Sequence, residues 1–334
     1  MKHIFIINPA SGKGVEAAPL SEAIRDACTA ASADFEIYLT KAARDATDYV
    51  RACIEKKPDG EVWRFYACGG DGTLSEVIAG AANPDAAAHA GAMQQCGALQ
   101  QCGALPGVEV GFLPIGTGND FVRNFTSPEF FRDVTKQLLA DAMEIDCYRC
   151  EVGGITRIAV NMINIGFDAD VVVKAGEFKK KRWLPKRLAY IAGILSIFRR
   201  NEGKTITVRR ADGGELTHEF QLVSAANGGW CGGGFHSAPK SSLTDGLLDI
   251  SLIRKVSRLD FLRLVGSYKK GTHLETRLGK KVIAYIKEPS VAFTLAEEAN
   301  ICIDGEIYRA CGLSLSILPR AVAFVVPVGC VYIE

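Results

Sequence analysis

The sequence has almost no net charge and no apolar run long enough to span a membrane. Lys and Arg total 39 and Asp and Glu total 38, so the formal net charge of +1 argues against binding nucleic acid through bulk positive charge. The longest apolar runs, 188–198 and 321–333, are shorter than the roughly 20 residues that a spanning helix needs. The apolar run after Met1 is too short for a secretory signal peptide. We therefore expect a cytoplasmic protein.

The cysteines do not form a pattern typical of a disulfide-rich or zinc-binding protein. Their number, 11, is odd, and they are scattered along the chain. In a cytoplasmic protein they are expected to be reduced thiols that serve as small apolar residues. Cys147 and Cys150 form a single CxxC without a second pair or a histidine at ligand spacing. This pattern argues against a zinc or redox site.

The chain has the length and apolar content of two folded domains. It contains 334 residues, of which 48% are hydrophobic and 23% charged. Short apolar strands alternate with helices in the first third, which predicts a Rossmann-like three-layer α/β domain over 1–130. Strand-like runs separated by turn residues follow from about Asp146, which predicts an antiparallel β-sandwich domain over 131–319. We expect 320–334 to pack back on the first domain.

Three glycine-rich turns follow three of the predicted strands. They are the turn from Asn8 to Gly14, the turn from Gly69 to Thr73 and the turn from Pro114 to Asp120. The first is not a P-loop, because Gly14 stands where a Ser or Thr would bind magnesium. Glycines allow close approach of a ligand to the backbone, and free N–H groups at the start of a helix attract anions. Asp71 would repel a phosphate unless a cation lay between them, which points to a nucleotide–magnesium complex.

Each turn alone also fits a simpler interpretation, in which its Asp caps a helix or stabilises a loop. Three such turns at corresponding strand ends favour one shared nucleotide site. A tandem duplication at 94–105, QQCGAL twice, is interpreted as an expanded surface loop before the strand that begins at Val108.

The motifs together resemble the diacylglycerol kinase catalytic-domain family, which includes bacterial diacylglycerol kinases, related lipid kinases and sphingosine kinases. The matching segments, in chain order, are 8–13 (NPASGK), 69–77 (GGDGTLSEV), 114–123 (PIGTGNDFVR), 227–249 and 303–306 (IDGE). The resemblance covers nearly the whole chain. GGDGT alone is shared with NAD kinases, whereas the five ordered segments are much more specific.

The resemblance implies a set of residues around ATP and magnesium. ATP would contact Asn8, Pro9, Ser11, Gly12, Lys13, Thr40, Gly69, Gly70, Asp71, Gly72, Thr73 and Thr117. Asp71 would hold the catalytic Mg²⁺ network, with Asp120 in support. Glu306 would take the proton of the lipid hydroxyl, with Asp304 close by. The alternative for Glu306 is a hairpin residue after an Asp-Gly turn.

A second, structural magnesium is also implied, at Ser242, Asp245 and Leu247. Leu247 could contribute only its backbone carbonyl. Two departures from the family pattern are Ser75, where relatives usually have Asn, and Thr244, where an Asp commonly precedes Asp245. The second departure removes a charge beside the implied structural site.

The segment 174–200 bears on which molecule accepts the phosphate. It carries basic residues beside Trp183 and then the apolar run 188–198. This composition suits a surface that lies on anionic lipid headgroups, and it equally suits a solvated basic loop followed by a core helix.

We therefore expect an ATP- and Mg²⁺-dependent lipid kinase, peripheral at the inner face of the membrane, with diacylglycerol as first acceptor. Other acceptors left open are a sphingoid base, a monoacylglycerol or, with a soluble substrate, NAD. A catalytically inactive nucleotide-binding relative is the remaining alternative. A homodimer is expected by family analogy, and nucleic acid is not expected as a partner.

Overall fold

The computed structural model of the protein describes residues 1–12, 17–82, 103–179 and 186–333. The first part of the chain alternates strand and helix, as the sequence predicts. Its elements are β1 (Lys2–Ile7), α1 (Ala17–Ala30), β2 (Asp34–Leu39), α2 (Asp45–Ile54), β3 (Trp63–Gly69), α3 (Asp71–Ala81) and β4 (Val108–Pro114). Strands β2, β1, β3 and β4 lie side by side in this order, and all are parallel.

Alternate residues of β1 pack into two different helical layers. Phe5 and Ile7 lie in a core with Ile24 and Cys28 of α1. Ile4 and Ile6 point to the other face, into a core that includes residues of α2 and α3. Because successive side chains of a strand point to opposite faces, the apolar run of β1 fills both layers. The result is the three-layer α/β arrangement expected from the sequence.

The rest of the chain is dominated by antiparallel strands. Its elements are α4 (Val134–Leu138), β5 (Asp141–Val152), β6 (Ile155–Ala159), β7 (Met162–Gly166), α5 (Phe167–Lys179), α6 (Lys186–Arg200), β8 (Lys204–Arg210), β9 (Glu215–Ala226), β10 (Leu248–Arg254), α7 (Arg258–Lys270), α8 (Arg277–Val282), β11 (Ile283–Glu288), β12 (Ser290–Ile303) and β13 (Glu306–Val326). A second core, separate from the first, is built from side chains of strands β5 to β10, β12 and β13.

The long strands β12 and β13 bend where their pairing register shifts. The shift in β12 lies between Thr294 and Ala299, so the strand pairs with β8 before it and with β7 after it. Strands that change partners at such irregularities form the corners of sandwiches. The expected fold class, an α/β domain followed by an antiparallel β-sandwich, is confirmed.

Strand β13 pairs with strands of both parts of the chain. Over Leu313–Val326 it runs antiparallel to β5, and its Ala323 and Phe324 also pair parallel to β4. Further along, the N–H of Thr126 donates to Val331 and the N–H of Ile333 donates to Asn124. The domain limits 1–130 and 131–319 stay a prediction.

Strands β6 and β7 are separated by a break at 160–161 within an otherwise continuous extended segment. The N–H groups of Val160, Asn161 and Met162 donate to the carboxylate of Asp304. A backbone donor used in this way cannot also serve a strand ladder. The duplicated segment lies outside the described residues from 94 to 102.

Candidate active site

The first two glycine-rich turns are joined by the side chain of Asn8. Asn8 follows β1, and its Nδ2 donates to Oγ1 of Thr73 at 3.1 Å. Its Oδ1 accepts the N–H of Ala10 at 2.9 Å. The amide therefore holds the turn after β1 against the start of α3. Gly12, at φ 63°, continues this turn in a left-handed conformation that favours glycine.

The second and third turns touch through their backbones. The N–H groups of Ile115 and Gly116 both donate to the carbonyl of Gly69, at 2.8 and 3.0 Å. A Cβ at Gly116 would lie 2.5 Å from Cα of Gly70, and one at Gly69 would lie 2.2 Å from Oγ1 of Thr73. These positions therefore exclude any side chain. The three turns form one continuous edge at the carboxyl ends of β1, β3 and β4, as we expected.

Two carboxylates approach each other across Gly118. A Cβ at Gly118 would lie 3.1 Å from Oδ2 of Asp71 and 3.7 Å from Oδ2 of Asp120. The N–H of Phe121 donates to Oδ1 of Asp71 at 3.0 Å. The N–H of Gly233 donates to Oδ2 of Asp120 at 2.8 Å, so a residue beyond β9 supports a carboxylate of the third turn.

The charge of Asp120 is poorly compensated. Burial raises its pKa above the ordinary value, the N–H of Gly233 opposes this, and the charge of Asp71 raises the pKa further. Nε of Arg123 lies 3.3 Å from its Oδ1, without hydrogen-bond geometry. Two carboxylates held together favour a cation between them, and carboxylate oxygens are the ligands that Mg²⁺ prefers. These two residues therefore fit a magnesium ion.

The remaining residues expected around ATP lie along the same edge. Thr40 follows β2, and its N–H donates to Ile7 at 2.9 Å. Pro9 and Thr117 are exposed, and Ser11, two positions after Pro9, is half-buried. Gly72 lies in the first turn of α3. Lys13 lies outside the described residues.

Asp304 is the most fully hydrogen-bonded of the predicted carboxylates. Its Oδ2 accepts from Ser75 Oγ and the N–H of Val160, both at 2.9 Å. Its Oδ1 accepts from the N–H groups of Asn161 at 3.1 Å and Met162 at 2.9 Å. Burial raises the pKa of Asp304 above its ordinary value, and the hydrogen bonds to the carboxylate oppose that effect.

Asp304 and Gly305 form the two-residue turn between β12 and β13. Their φ angles are 45° and 91°, and Ile303 pairs with Glu306 across the turn. Two positive φ angles are the mark of a type I′ hairpin. Glu306 is therefore the residue that follows an Asp-Gly hairpin turn, as in the alternative interpretation of the sequence. Its side chain is also exposed to solvent. The hydroxyl of Tyr308 donates to its carboxylate at 2.7 Å, and Nε of Arg157 donates to that hydroxyl at 3.0 Å.

Two cavities meet at Asp304. The first, which we call the apolar chamber, has a volume of about 320 Å³ and lies between the sheet and helices α5 and α7. It is lined mainly by apolar side chains, and Asp71, Asp120 and Asp304 also line it. The second, which we call the polar cleft, has a volume of about 370 Å³. Its lining includes Ser75, Asp304 and Glu306, together with Arg44, Arg51, Arg149 and Arg157.

Comparisons with known proteins agree with this arrangement. Residues 2–150 match the family described as "Diacylglycerol kinase catalytic domain", and residues 161–326 match the "YegS C-terminal NAD kinase beta sandwich-like domain". The two matches cover nearly all of the chain. The chain belongs to the diacylglycerol kinase catalytic-domain family. The resemblance read from the five motifs is thereby confirmed, and the chain is a kinase.

Individual members of the family match over most of their length. The diacylglycerol kinase of Bacillus subtilis (strain 168) is 24% identical over 309 residues, which cover 90% of this chain and 88% of that protein. A probable lipid kinase YegS-like of Stenotrophomonas maltophilia (strain K279a) is 26% identical over 298 residues, covering 88% and 87%. The crystal structure of a diacylglycerol kinase from Bacillus anthracis str. Sterne matches the fold with a TM-score of 0.62 at 19% identity, covering 97% and 96%.

The structural magnesium site expected for this kinase family does not fit the residues present. Nζ of Lys287 donates to Oδ2 of Asp245 at 2.7 Å, and the N–H of Leu247 donates to its Oδ1 at 3.1 Å. Lys287 also lies 3.3 Å from the buried carboxylate of Asp249. Oγ of Ser242 lies 3.3 Å from the hydroxyl of Thr244. The ammonium group already neutralises the carboxylate that would bind the ion.

The basic and apolar segment forms two helices in the described part of the chain. Helix α5 ends at Lys179 and α6 begins at Lys186, and 180–185 lie outside the described residues. Leu188 and Leu195 of α6 are half exposed. None of the helices in the described ranges combines the length and apolar composition that crossing a bilayer requires.

Sequence reasoning missed several residues of the apolar chamber. Asp168, on the first turn of α5, and Asn164, on β7, both line it. A local signal was present for Asp168, because it is a carboxylate two residues after a fully buried strand, at the start of a helix. Gly233 gave no such signal, since its role depends on a contact with Asp120 that is distant in sequence.

Proposed function

We propose that this kinase is ATP- and Mg²⁺-dependent and transfers the γ-phosphoryl group of ATP to a lipid hydroxyl, with diacylglycerol as the first acceptor to test. The observation that carries the proposal is the apolar chamber that ends at Asp71 and Asp120, beside the glycine-rich edge. A soluble acceptor such as NAD would gain little from a chamber lined mainly by hydrocarbon. Relatives named diacylglycerol kinase and lipid kinase support this choice.

The nucleotide is assigned to the glycine-rich edge, with its phosphates reaching into the polar cleft. Gly72 and Ser75 of α3 line that cleft, so a phosphate chain that passes the start of α3 enters it. Backbone N–H groups at a helix start and arginine side chains are both suited to phosphate oxygens. The arginines of the cleft form no ion pair with any described residue.

Asp71 and Asp120 are the residues that would hold magnesium. The ion would supply charge neutralisation for the phosphates during transfer. Gly233 and Phe121 fix the two carboxylates through their N–H groups, so both side chains are already oriented in this structure. Such orientation before the reaction is the main contribution of a protein to phosphoryl transfer.

The lipid hydroxyl is assigned to the Asp304–Gly305 turn, where the chamber and the cleft meet. Asp304 accepts four hydrogen bonds and has no oxygen left for a further proton, so we give it a positioning role. Glu306, which lines the cleft beside Gly305, takes the proton of the lipid hydroxyl while the oxygen of that hydroxyl bonds to the γ-phosphorus. The bond from that phosphorus to the β-phosphate oxygen breaks, and ADP leaves.

Membrane contact and oligomeric state are further parts of the proposal. Arg199 and Arg200 are exposed at the end of α6, near the half-exposed Leu195. This pattern suits transient contact with an anionic membrane surface at the inner face of the membrane. A homodimer remains a proposal by family analogy.

A labelling experiment tests the function. Purified protein is incubated with γ-labelled ATP, Mg²⁺ and separate samples of diacylglycerol, monoacylglycerol, a sphingoid base and NAD, and the labelled product is identified. Label on a lipid is the expected result. Label on NAD and on no lipid, or label on none of the four, overturns the proposal.

A further inference from the structure

Glu306 is an exposed residue at the start of a strand. It is the first residue of β13, directly after the Asp304–Gly305 turn. A glutamate side chain has three rotatable bonds, and an exposed one samples many conformations unless a contact holds it. A proton acceptor must lie within hydrogen-bond reach of the proton that it takes. The role proposed for Glu306 therefore requires a neighbour that orients its carboxylate.

Tyr308 holds one oxygen of this carboxylate. The two residues are two positions apart on β13, so their side chains lie on the same face of the strand. The hydroxyl of Tyr308 donates to Oε2 of Glu306 at 2.7 Å. Burial and the hydrogen bond to Glu306 raise the pKa of Tyr308, so the hydroxyl keeps its proton and is the donor. In the described part of the chain Oε1 of Glu306 has no donor, which leaves it available to receive a proton.

Arg157 contacts the same hydroxyl. Its Nε, on β6, donates to Oη of Tyr308 at 3.0 Å. A phenol has one proton to donate, and Tyr308 donates it to Glu306, so its oxygen accepts from the guanidinium. Two hydrogen bonds therefore connect Arg157 to Glu306 through Tyr308. Each of them involves a charged group, and such hydrogen bonds are stronger than those between neutral groups.

Arg157 and Glu306 do not form an ion pair with each other. Within the described ranges neither residue takes part in any ion pair, so the hydroxyl of Tyr308 separates the two charges. Direct bidentate pairing with a guanidinium would occupy both oxygens of the carboxylate. The phenol holds one oxygen and leaves the other free. This arrangement suits a carboxylate that must be oriented and must still accept a proton.

The other side of the Arg157 guanidinium lacks an acceptor. Its Nη2 is buried and has no hydrogen-bond partner among the described residues, and Arg157 lines the polar cleft. A buried charged donor without an acceptor is unfavourable. The guanidinium presents its N–H groups in a rigid fork that suits phosphate oxygens. A nucleotide phosphate in the cleft would supply the acceptor that Nη2 lacks, while Nε keeps its contact with Tyr308.

We propose that Arg157 and Tyr308 are positioning residues that couple the orientation of Glu306 to the bound nucleotide. Arg157 binds a phosphate through Nη2 and Tyr308 through Nε, and Tyr308 holds Oε2 of Glu306. Because the guanidinium is planar and rigid, a phosphate that fixes one nitrogen also fixes the other. The proton of the lipid hydroxyl passes to Oε1. The inference rests on the proposed function and adds two residues to its site.

The first test is a double-mutant cycle of Tyr308→Phe with Glu306→Gln, with kcat measured at saturating MgATP and lipid. Tyr308→Phe removes only the hydroxyl, and we expect kcat to fall by about 10-fold while KM for ATP stays nearly unchanged. Combined with Glu306→Gln, the same change should alter kcat by less than about two-fold, because the carboxylate that Tyr308 orients is gone. The matched control is Tyr49→Phe, since the hydroxyl of Tyr49 also donates to a carboxylate, that of Glu36, and neither residue lines a cavity.

The second test examines the link to the nucleotide with Arg157→Lys. Lysine keeps the charge, but its single ammonium group cannot hold a phosphate and Tyr308 from two fixed nitrogens. We expect kcat to fall about as far as in Tyr308→Phe, and the two changes together to lower kcat no further than either alone. The affinity for MgADP, measured by calorimetry, should fall by about 10-fold in Arg157→Lys. Tyr308→Phe should leave that affinity within about two-fold.

The outcomes separate the inference from the function on which it rests. Near-normal kcat in Tyr308→Phe overturns the inference, and so does an equal fall of kcat with and without Glu306→Gln, which is what a merely structural role predicts. Unchanged affinity of Arg157→Lys for MgADP overturns the coupling to the nucleotide, and this measurement needs no turnover. In all these cases phosphorylation of a lipid by the unmodified enzyme leaves the proposed function intact. If the unmodified enzyme phosphorylates no lipid, the function and the inference are both overturned.

Discussion

The apolar chamber and the polar cleft are close in volume but opposite in chemistry. The chamber carries only acidic charges within hydrocarbon surroundings, whereas the cleft carries four arginines together with carboxylates. In the cleft, Nη2 of Arg157 is buried without a hydrogen-bond partner. The arginines of the cleft suit the polyphosphate of a nucleotide, and the hydrocarbon lining of the chamber suits the chain of a lipid. This difference fits the proposed function, in which two substrates approach from opposite sides.

The wall between the two cavities is the Asp304–Gly305 turn. Asp304 lines both of them, and its carboxylate fixes Val160, Asn161 and Met162 on one side and Ser75 of α3 on the other. A single side chain therefore sets the distance between the end of the chamber and the start of α3. Changes on either side of this wall should affect one substrate and leave the other unaffected.

The largest effect is expected from Glu306→Gln, directly after the Asp304–Gly305 turn. Gln cannot take the proton of the acceptor, so kcat should fall by about 10²-fold or more while KM for ATP changes little. Steady-state kinetics with the best lipid acceptor measure this. Glu298→Gln, an exposed residue of β12 paired with Arg309, is the control. Near-normal turnover in Glu306→Gln would remove Glu306 from its role.

In the polar cleft, Arg157→Gln should raise KM for ATP by about 10-fold and leave KM for the lipid unchanged, because a charged donor to phosphate oxygens is lost. Arg209→Gln removes an exposed ion pair between β8 and Glu215 of β9 and should change neither constant. Nucleotide binding measured by calorimetry gives the same comparison without turnover. An equal loss of affinity for both substrates would contradict the separation of the cleft from the chamber.

In the chamber, Val172→Trp should raise KM for a long-chain lipid by roughly five-fold, since added bulk on α5 takes space from the chain. Val172 lines the chamber and is 37% exposed, so the larger ring can be placed without disturbing a packed core. A short-chain acceptor and ATP serve as internal controls. If KM rises equally for short and long chains, the chamber does not hold the chain.

The smallest effect concerns stability, and Asp168→Asn is expected to increase it at neutral pH. The folded pKa of Asp168 is about 6 against an ordinary value of 3.8, so the folded state keeps a proton that the unfolded state loses. Stability therefore falls as the pH rises from about 4 to 6, and it stays lower above that range. Asn does not ionise. We expect a gain of about 1–2 kcal/mol for the variant at pH 7.5, discounted because the carboxylate faces an open chamber.

Denaturation in urea at pH 4 and pH 7.5 measures this difference. Asp249, whose pKa burial also raises to about 6, adds the same dependence to both proteins and cancels in the comparison. Equal stabilities at pH 7.5 would mean that the Asp168 carboxylate carries no penalty in the free enzyme. A less stable variant would point to a stabilising role at the start of α5.

The sequence contained enough information to locate the glycine-rich edge, because each turn follows directly after its strand. It also allowed the fold class to be predicted, from strand and helix periodicity. The contacts of Asp304 with Val160 and Met162 could not be foreseen, since they join residues more than 140 positions apart. Lys287 beside Asp245 is a similar case. Local patterns reveal which residues could react, whereas charge compensation depends on pairs that only the folded chain brings together.

The parallel pairing of β13 with β4 has a consequence for folding during synthesis. The strands β1 to β4 leave the ribosome early, but Ala323 and Phe324, which cover the edge of β4, are made more than 200 residues after that strand ends at Pro114. Until then the nascent N-terminal part exposes an unpaired strand edge, a feature that promotes association with other chains. Completion of this sheet therefore waits until β13 has been made, and a chain stopped before residue 320 would keep an open edge permanently.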